Sequence, residues 1–528
     1  MAAALVGAAL HGMACSAEDL RVVVVGGGVC GVTCCQALVA GGQAKCVTLV
    51  AAAGLLKGAA NVVRLSRHLD SFDVVEQAFD DVAGPHTTVV EGEASALDAA
   101  NKVLKLRDGR ALPYDKLCIC TGASPKIVGR HPRVLTLRDT ASAQQLRQKL
   151  RDCRRVVIAG NGGIAMELVH EINNCEVVWA VREGHMGNAF FDADASQFLA
   201  PALASRLCPS LHDPLAAPRV PLQPSMDKDS SMQAADVSVS GSSLGPQWMH
   251  AALGLEYRES RPRSKHGSGL LSGASTDPAS GSDGPATAGG ATFADKCTSP
   301  VYLETFAEVV SIDDGGGQSG DTGWPVVVTF ADGRVYGADY VISAIGVHHP
   351  KSLSSDLARS ESGAILVDEH MLTSVADVFA AGDACHVQLE RGGQEQRAWF
   401  QMRLWSQART QGLWAAHCIL GTQDTAASPM EIFAHATYFF GYKVVLLGRF
   451  NGQGFNKTDP AFRQLVRTTP DREYVKAVLY NGRMQGALLL GDTDLEETFE
   501  NLILNQFDLS FLGDRLLDPE FDLEDFFD

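Results

Sequence analysis

The sequence of 528 residues predicts an α/β protein with two nucleotide-binding domains and a small α+β domain at the C-terminal end. Twice along the chain a strand-like apolar run leads into a glycine-rich turn and then into helical sequence, first at Gly26 and again at Gly160. The two turns lie 134 residues apart, which favours two separate domains over one divided domain. From about residue 430 short strand-like runs predict the third domain.

Each glycine turn lies inside a βαβ unit, in which a strand, a helix and a second strand follow one another. Ligands of such units bind at the carboxyl end of the first strand, where the turn begins. The predicted elements are strand 21–25, helix 30–40 and strand 46–50 in the first unit, and strand 155–159, helix 164–173 and strand 175–180 in the second.

The first turn has the pattern GxGxxG, formed by Gly26, Gly28 and Gly31. The first glycine permits the tight turn, the second lets the backbone approach a pyrophosphate, and the third lets the helix pack on the strand. The N-terminus of the helix then presents free N–H groups to the phosphates. Because this pattern follows a strand and opens a helix, it predicts a Rossmann-like dinucleotide-binding site.

The second strand of the first unit lacks the acidic residue that normally binds the ribose hydroxyl groups. Ala51, Ala52 and Ala53 follow the strand instead. We therefore expect the ribose contacts of this site to come from the backbone or from another segment.

The second turn is a GxGxxA variant, formed by Gly160, Gly162 and Ala165. Arg182 and Glu183 follow its second strand. An arginine there favours the 2′-phosphate of NADP, whereas an acid favours the ribose of NAD. The pair is equally compatible with a solvated ion pair, so the sequence leaves the choice of nucleotide open.

A third motif, TSVADVFAAGDAC at 373–385, ends a short strand in Gly382-Asp383. The glycine lets the backbone close on a ligand, and the aspartate can accept a hydrogen bond from a ribitol hydroxyl group. In this position the motif resembles the second FAD fingerprint of the two-dinucleotide-fold flavoprotein reductases. The segments CICTGASP (118–125) and DYVISAIGVHHP (339–350) resemble the two crossovers of the same proteins, which are the segments where the chain passes from one dinucleotide-binding domain to the other.

Taken in order, these motifs resemble the class I pyridine nucleotide-disulfide oxidoreductases. The resemblance implies an FAD domain, an NAD(P)H domain and an oxidoreductase that binds both cofactors and no metal. It assigns the following residues to FAD: Gly26, Gly28, Gly31, Lys57, Thr121, Gly122, Gly382 and Asp383. It assigns to NAD(P) the residues Gly160, Gly162, Ala165, Glu167, Arg182 and Gly346.

The redox dithiol of the disulfide reductases is missing from this sequence. Their CxxxxC pair would fall at 51–69, where no cysteine occurs, and no histidine follows His435 to supply their C-terminal acid–base pair. Lys57 lies in the cysteine-free stretch, where related reductases place groups against the flavin ring. It is either a positive charge beside N1 or N5 of the flavin or a solvated surface lysine.

The 13 cysteines form no CxxC pair, and we expect mostly buried free thiols in a reducing compartment. Cys30 and Cys34 are four residues apart on one helical face, which favours a packing role over a redox role. Cys385 follows Gly382-Asp383 and is the better candidate for a thiol near flavin, although a small buried thiol explains it too.

The predicted domain limits also include segments outside the ordered domains. Between Gly267 and Thr292, 22 of 26 residues are Gly, Ser, Ala, Pro or Thr, which predicts a disordered insertion at about 201–300. The C-terminal tail is acidic and punctuated by phenylalanines. The limits are 1–19 for an N-terminal extension, 20–149 and 346–425 for the FAD domain, 150–345 for the NAD(P)H domain with its insertion, and 426–528 for the C-terminal domain.

Charge and hydropathy exclude several classes of partner. The chain has 44 Lys and Arg against 62 Asp and Glu, which gives a net charge of −18. So acidic a protein gains little free energy from the release of counterions, and we expect no direct binding to nucleic acid. No run approaches about 18 uninterrupted apolar residues, and we expect no membrane span.

Several longer segments, among them GNGGIAMELVHEINNCEVVWA and LLDPEFDLEDFFD, resemble a branch of this superfamily that lacks the redox cysteines. That resemblance implies a protein of the cytoplasm and nucleus that acts in oxidative-stress defence and protects the tRNA ligase complex. Two functions stay open. One is an NAD(P)H-dependent flavin reductase, and the other is a redox-gated interaction protein that binds its partner through the C-terminal domain or acidic tail.

Overall fold

The structure is a computed structural model of the chain. It describes residues 19–52, 54–137, 140–204, 206–208, 214–215, 299–315, 323–349, 353–389, 398–424, 428–521 and 523. Most of the predicted N-terminal extension, most of the predicted insertion, Ala53 and the last residues of the acidic tail lie outside this description. No helix in the described ranges is long and apolar enough to cross a membrane.

The first domain begins with the predicted βαβ unit and continues with strands of varied direction. β1 and β2 are parallel and in register, with Val25 opposite Val50. β3 and β4 form a long antiparallel hairpin over the stretch that carries the dithiol in disulfide reductases. The elements are β1 Arg21–Val25, α1 Val29–Ala40, β2 Cys46–Ala51, β3 Leu55–Arg64, β4 Asp70–Ala78, α2 Phe79–Val82, β5 Thr87–Glu91, β6 Ala94–Asp98, β7 Val103–Leu106, β8 Ala111–Pro113 and β9 Lys116–Ile119.

The second domain repeats the parallel plan in a five-stranded sheet of order β11-β18-β12-β13-β14. A three-stranded antiparallel layer, β15-β16-β17, covers one side of it. The elements are β10 Ser124–Pro125, β11 Val134–Leu135, α3 Thr140–Leu150, β12 Arg155–Ala159, α4 Gly163–Glu171, β13 Glu176–Ala180, α5 Ala193–Leu203, β14 Val301–Glu304, β15 Val309–Asp314, β16 Val326–Phe330, β17 Val335–Ala338, β18 Tyr340–Ser343 and β19 Val347–His348.

The chain then returns to the first domain and completes its sheet. The parallel order is β21-β9-β1-β2-β5, so β1 and its glycine turn occupy the centre. The long helix α6 packs against α1, because Gly412 lets the two backbones approach closely. These elements are β20 Ile365–Val367, β21 Val378–Ala380, β22 Cys385–Val387 and α6 Trp405–Leu420.

The C-terminal domain is an antiparallel five-stranded sheet of order β23-β24-β27-β26-β25 with one helix packed on it. Its apolar core is continuous with that of the second domain through Phe190, Phe191 and Phe439. The elements are β23 Ala434–Phe439, β24 Tyr442–Gly448, β25 Phe462–Thr469, β26 Glu473–Tyr480, β27 Arg483–Leu490 and α7 Glu496–Asn505.

The tip of the β3–β4 hairpin joins the first domain to the C-terminal domain. Leu69 is buried in the C-terminal core, and the buried carboxylate of Glu500 accepts hydrogen bonds from the Ser66 hydroxyl group and the His68 backbone N–H. These contacts fix the hairpin, which therefore connects the first glycine turn with the C-terminal sheet.

The predicted fold class is confirmed: the chain is α/β, with two Rossmann-like domains and a small α+β domain. The apolar run 301–310 forms two strands, β14 and β15, because Phe306 between them takes a positive φ of 53°. One detail differs from the predicted domain limits. β11 pairs with β18, and α3 contributes Leu146 to the second core, so the second sheet draws on chain before residue 150.

Candidate functional site

The first glycine turn leaves an open approach to the backbone between two tightly packed glycines. Gly26 has a φ of 125°, and a Cβ there would lie 2.1 Å from the carbonyl oxygen of Cys120. A Cβ on Gly31 would lie 2.0 Å from the carbonyl oxygen of Gly26, whereas a Cβ on Gly28 would meet nothing within 4 Å. The structure therefore brings Gly26 and Gly31 into close packing and leaves Gly28 facing free space.

The N-terminus of α1 is available to an anion. Gly28 is the N-cap, and no side chain caps the helix. The first N–H groups of a helix have no partner within it, and the helix dipole places positive potential at that end. Together with the free space above Gly28, this geometry fits a pyrophosphate group.

The third motif packs directly on α1. A Cβ on Gly382 would lie 3.0 Å from the sulfur of Cys30, and the Gly382 N–H donates to the side chain of Gln411 on α6. Asp383 follows in a half-buried position, and no hydrogen bond among the described residues reaches its carboxylate. Burial raises the pKa of Asp383 to about 6, although the charge of Arg403 opposes the shift.

His349 and Arg403 extend this site, and the sequence reasoning missed both. The ring nitrogen Nε2 of His349 lies 2.8 Å from the Asp383 carbonyl oxygen and 3.2 Å from Arg403 Nη2. His349 belongs to the predicted crossover 339–350, but nothing in the local sequence indicated that its side chain would reach the Gly382 turn.

Lys57 lies on β3 at the edge of the first glycine turn. Its backbone N–H donates to the Gly27 carbonyl oxygen, and its ammonium group is 6.0 Å from the centre of the Trp405 ring. Trp405 opens α6, whose N-terminus has no side-chain cap. Two sources of positive potential, Lys57 and the α6 N-terminus, therefore lie close together. Glu76 is opposite Lys57 across the hairpin, so a structural charge role for Lys57 stays open.

The two predicted crossovers pair with each other. β10 and β19 are antiparallel, with Ser124 opposite His348. Gly122 and Gly346 flank this pairing, both have a positive φ, and a Cβ on either would meet nothing within 4 Å. Thr121 beside them is exposed. The structure thus joins the crossovers between the first and second domains.

The second glycine turn has the same backbone form as the first. Gly160 has a φ of 136°, and a Cβ there would lie 2.2 Å from the carbonyl oxygen of Ala344. Gly162 is the N-cap of α4, which again has no side-chain cap, and a Cβ on it would meet nothing within 4 Å. Ala165 and Glu167 are both buried on α4. This turn also fits a pyrophosphate.

Arg182 and Glu183 have different surroundings. The carboxylate of Glu183 accepts a hydrogen bond from the amide of Asn161 in the glycine turn, at 3.0 Å. The same amide bonds the carbonyl oxygen of His185, so Glu183 helps to hold the turn. Arg182 keeps 72% of its side chain exposed and contacts Glu183 at 3.5 Å. The guanidinium group is the more accessible of the two to a ligand.

The first domain has a carboxylate beside the position where an acid is missing. Ala51 ends β2, and the register places Glu91 of β5 directly next to it. Glu91 is exposed. Because the carboxyl ends of parallel strands meet at one edge of a sheet, Glu91 is a candidate for the ribose contact that the alanines cannot make.

Most free cysteines among the described residues are buried. Cys385 is fully buried, and its sulfur lies 3.4 Å from the Gly382 carbonyl oxygen, so it has a packing role as well as a position near the site. Cys30 and Cys34 are also buried, on the sheet side of α1. The sequence reasoning missed their neighbours Cys118 and Cys120.

A cavity of about 450 Å³ lies where the three domains meet. Its walls include His185 after β13, Met402 before α6 and Asn451 of the C-terminal domain. The segment after the second glycine turn and the segment before α6 therefore face a common space.

The comparisons with known proteins agree with this geometry. The model of the family described as pyridine nucleotide-disulphide oxidoreductase matches residues 20–206 and 301–412. The chain belongs to the pyridine nucleotide-disulphide oxidoreductase family. A Mus musculus relative, "Pyridine nucleotide-disulfide oxidoreductase domain-containing protein 1", is 39% identical over 96% of this chain and 98% of its own. A Dictyostelium discoideum protein of the same name is 35% identical, over 96% and 99%.

Solved structures share the fold of this family member. The covalent complex of putidaredoxin reductase with putidaredoxin contains a chain that aligns with a TM-score of 0.60 at 17% identity, over 95% of this chain and 97% of its own. The water-forming NADH oxidase from Lactobacillus brevis, bound to NADH, aligns with a TM-score of 0.58 at 16% identity, over 96% and 94%. The fold shared with these structures therefore extends over all three domains.

Proposed function

We propose that the chain is an FAD-dependent NAD(P)H oxidoreductase that works without a redox dithiol. The observation that carries the proposal is the pair of uncapped helix N-termini, one behind each open glycine turn, at Gly28 and Gly162. Each accommodates one pyrophosphate, and the Gly382-Asp383 turn packs only beside the first. This asymmetry supports FAD at the first turn and NAD(P)H at the second.

In this mechanism bound FAD supplies a two-electron carrier, and NAD(P)H supplies the hydride. The residues of the chain bind and orient. The N-termini of α1 and α4 hold the pyrophosphates, and Asp383 accepts a hydrogen bond from a flavin hydroxyl group. With FAD bound, Lys57 and the N-terminus of α6 would place positive potential near the ring, because both lie close to Trp405.

The electron acceptor is a separate molecule, because the chain has no cysteine pair in the stretch where the disulfide reductases carry theirs. The stretch 51–69 contains no cysteine, and most of it forms the β3–β4 hairpin. Electrons therefore leave to oxygen, a quinone, a dye or a bound protein. The neighbouring folds include a reductase seen with its protein partner and an oxidase, and both types of acceptor are compatible with this proposal.

The proposal is tested with purified protein. We expect a yellow solution with the flavin absorbance band near about 450 nm. Anaerobic addition of NADH or NADPH bleaches the band, and admission of air then measures how fast oxygen restores it. Protein that stays colourless after incubation with excess FAD would refute the proposal.

The role of Lys57 has its own test. We expect Lys57→Met to slow bleaching of the bound flavin about tenfold and to lower its reduction potential, because a positive charge near the ring is lost. Lys57→Arg keeps the charge and should restore most of the rate. Lys45, which lies in the turn before β2, provides the matched control Lys45→Met. Equal, small effects of both methionine variants would favour the structural reading of Lys57.

We extend the proposal to the biological setting implied by the sequence resemblance: oxidative-stress defence in the cytoplasm and nucleus, including protection of the tRNA ligase complex. The experiment is co-purification of the tagged full chain with that complex, with and without NADH, followed by ligation assays after peroxide treatment. Ligase activity that is lost equally with and without the chain would contradict this part.

A second candidate, a redox-gated interaction protein, is favoured by the surface after α7. Phe507 and Phe511 are 42% and 62% exposed in an acidic segment. Exposed aromatic rings among acids are suited to a basic groove on a partner.

A truncation is not a suitable test of this candidate. Removal of everything after Gly491 would delete Phe499, which is buried in the C-terminal core. The appropriate test is therefore the double substitution Phe507→Ser and Phe511→Ser: lost partner binding with intact NADH oxidation supports this candidate.

A further inference from the structure

Four buried cysteines form a continuous chain of thiols beneath the first glycine turn. The sulfur of Cys30 lies 3.5 Å from that of Cys120, and the sulfur of Cys120 lies 3.6 Å from that of Cys118. Cys34 contacts Cys118 at the far end of the chain. All four are free cysteines.

The pair at the near end lies where three motifs of the first site meet. Cys30 belongs to the first turn of α1, Cys120 precedes the crossover residues Thr121 and Gly122, and the Gly382 turn packs on the Cys30 sulfur. The carbonyl oxygen of Cys120 is also the atom that crowds Gly26. A change in this pair therefore acts on all three motifs together.

Exposure and geometry distinguish this pair from the other thiols. Cys30 and Cys120 retain 6% and 5% of their surface, whereas Cys34 and Cys118 are 0% exposed. Cys118 and Cys120 are two residues apart in extended chain, so their Cα atoms are about 6.6 Å apart, near the upper end of the range for disulfides. Cys30 and Cys120 come from different elements and carry no such constraint.

We propose that Cys30 and Cys120 are an oxidisable dithiol inside the FAD-binding site, and that a disulfide between them weakens FAD binding. The oxidant is a hydroperoxide. One thiol reduces the hydroperoxide to an alcohol, or to water in the case of hydrogen peroxide, and becomes a sulfenic acid. The second thiol displaces water from it, and the S–S bond forms. In sum, two thiols lose two electrons and two protons, and a thiol reductant reverses the step.

The effect on FAD follows from the close packing around Cys30 and rests on the proposed function. Bond formation shortens the sulfur–sulfur distance from 3.5 Å to about 2.05 Å. α1 cannot shift as a whole to follow the new bond, because a Cβ on Gly382 or Gly412 would already lie 3.0 or 2.3 Å from atoms of Cys30. The strain therefore moves the first turn of α1 relative to the crossover, and the N–H groups at Gly28 lose their alignment with the pyrophosphate.

The oxidation is expected to be slow. The hydrogen bond to Cys120 lowers and burial raises the pKa of Cys30, with a net increase, and hydrogen bonds with Cys118 and Cys30 raise the pKa of Cys120. Thiolate is the reactive form, so little of it is present on Cys30 or Cys120 at neutral pH. Hydrogen bonds with Cys120 and Cys34 lower the pKa of Cys118 to about 5, but that thiol is fully buried and out of reach of the hydroperoxide. The pair thus responds to sustained hydroperoxide.

The experiment is peptide mapping of the full chain after treatment with hydrogen peroxide, alkylation and non-reducing digestion. We expect a linked peptide pair joining Cys30 to Cys120, which disappears when dithiothreitol is added. No linked pair, or a Cys118–Cys120 or Cys34–Cys118 link in its place, would overturn the proposal. This readout does not require FAD, so it remains valid even if the proposed function fails.

The consequence is measured by FAD fluorescence, which rises when the cofactor leaves the protein. We expect the oxidised protein to release FAD with a dissociation constant at least threefold higher than the reduced protein. Cys30→Ala should remove both the link and this difference, while the matched control Cys34→Ala on the same helix should keep both. A Cys30–Cys120 link that leaves FAD affinity unchanged would overturn the proposed effect on binding.

Discussion

The two glycine turns of this protein share a backbone form but differ at the third position. Gly26 and Gly160 take nearly the same φ and crowd a carbonyl oxygen in the same way. At the third position the first turn requires Gly31, because its Cβ would strike the Gly26 carbonyl oxygen, whereas the second turn accommodates Ala165. α6 also packs closely on α1 at Gly412, so α1 has less room to shift away from β1.

The two sites also differ in the residues that follow the second strand of each βαβ unit. The first site presents alanines there, with Glu91 on the next strand, while the second presents Arg182 and Glu183. The first site has an acid of its own, the half-buried Asp383, contributed from another segment. The comparison shows that phosphate binding is built from the same local parts in both domains, whereas recognition of the rest of each ligand comes from distant or exposed residues.

The largest effect is expected at the third position of the first turn. Gly31→Ala should lower the free energy of unfolding by about 3 kcal/mol, because the added methyl group meets backbone atoms that cannot move aside. Ala165→Gly is the matched change in the second turn and should cost about 2 kcal/mol, through helix propensity and the loss of one buried methyl group. Urea denaturation of both variants measures the difference. Equal losses would show that the two helices pack alike.

Substitutions at the second glycine of each turn, Gly28 and Gly162, should each affect the binding of a different ligand. Gly28→Ala should keep the fold and weaken FAD binding at least tenfold, because its methyl group occupies the space that the pyrophosphate needs. Gly162→Ala should leave the FAD content unchanged and raise KM for NAD(P)H about tenfold. Flavin content and steady-state kinetics provide the two readouts. FAD loss in the Gly162 variant would reverse the assignment of the two turns.

Substitution of Arg182 tests whether the second site recognises the 2′-phosphate of NADP. Because its guanidinium group is exposed while Glu183 is hydrogen-bonded to Asn161, we expect Arg182→Ala to lower kcat/KM for NADPH about tenfold and that for NADH less than twofold. Arg147 on α3 is exposed and offers a control, Arg147→Ala. An equal loss with both nucleotides would argue against a contact with the 2′-phosphate.

The smallest effect concerns the pH dependence of the cofactor-free protein. The pKa of Asp383 is about 6 in the folded chain and near about 4 when unfolded, so the folded state binds more protons between these values. Stability therefore falls as pH rises through this window and stays level above it. Asp383→Asn removes this dependence.

The pH effect is measured as the difference in Tm between the wild type and Asp383→Asn at pH 4.5 and pH 7, without cofactor. The asparagine variant should gain relative to the wild type at the higher pH. A constant difference would mean that Asp383 is not desolvated in the folded chain.

The sequence predicted the elements around both turns to within one or two residues at each end. That accuracy has a local cause: a tight turn between a strand and a helix needs glycine wherever it stands, so the pattern alone indicates the geometry. By contrast, the long β3–β4 hairpin was not foreseen at 51–69, because its position depends on Ser66 and His68 contacting Glu500, more than 400 residues away in the chain.

By itself the sequence determined the two dinucleotide turns, the missing dithiol beside the predicted flavin ring and the change of composition at the third domain, because each is a property of short segments. The tertiary structure alone decided which side chains share a site. His349 reaches the Gly382 turn, Glu183 is engaged by the second turn, and Cys30 meets Cys120 from 90 residues away. Such meetings depend on how sheets and helices pack, and no local pattern encodes them.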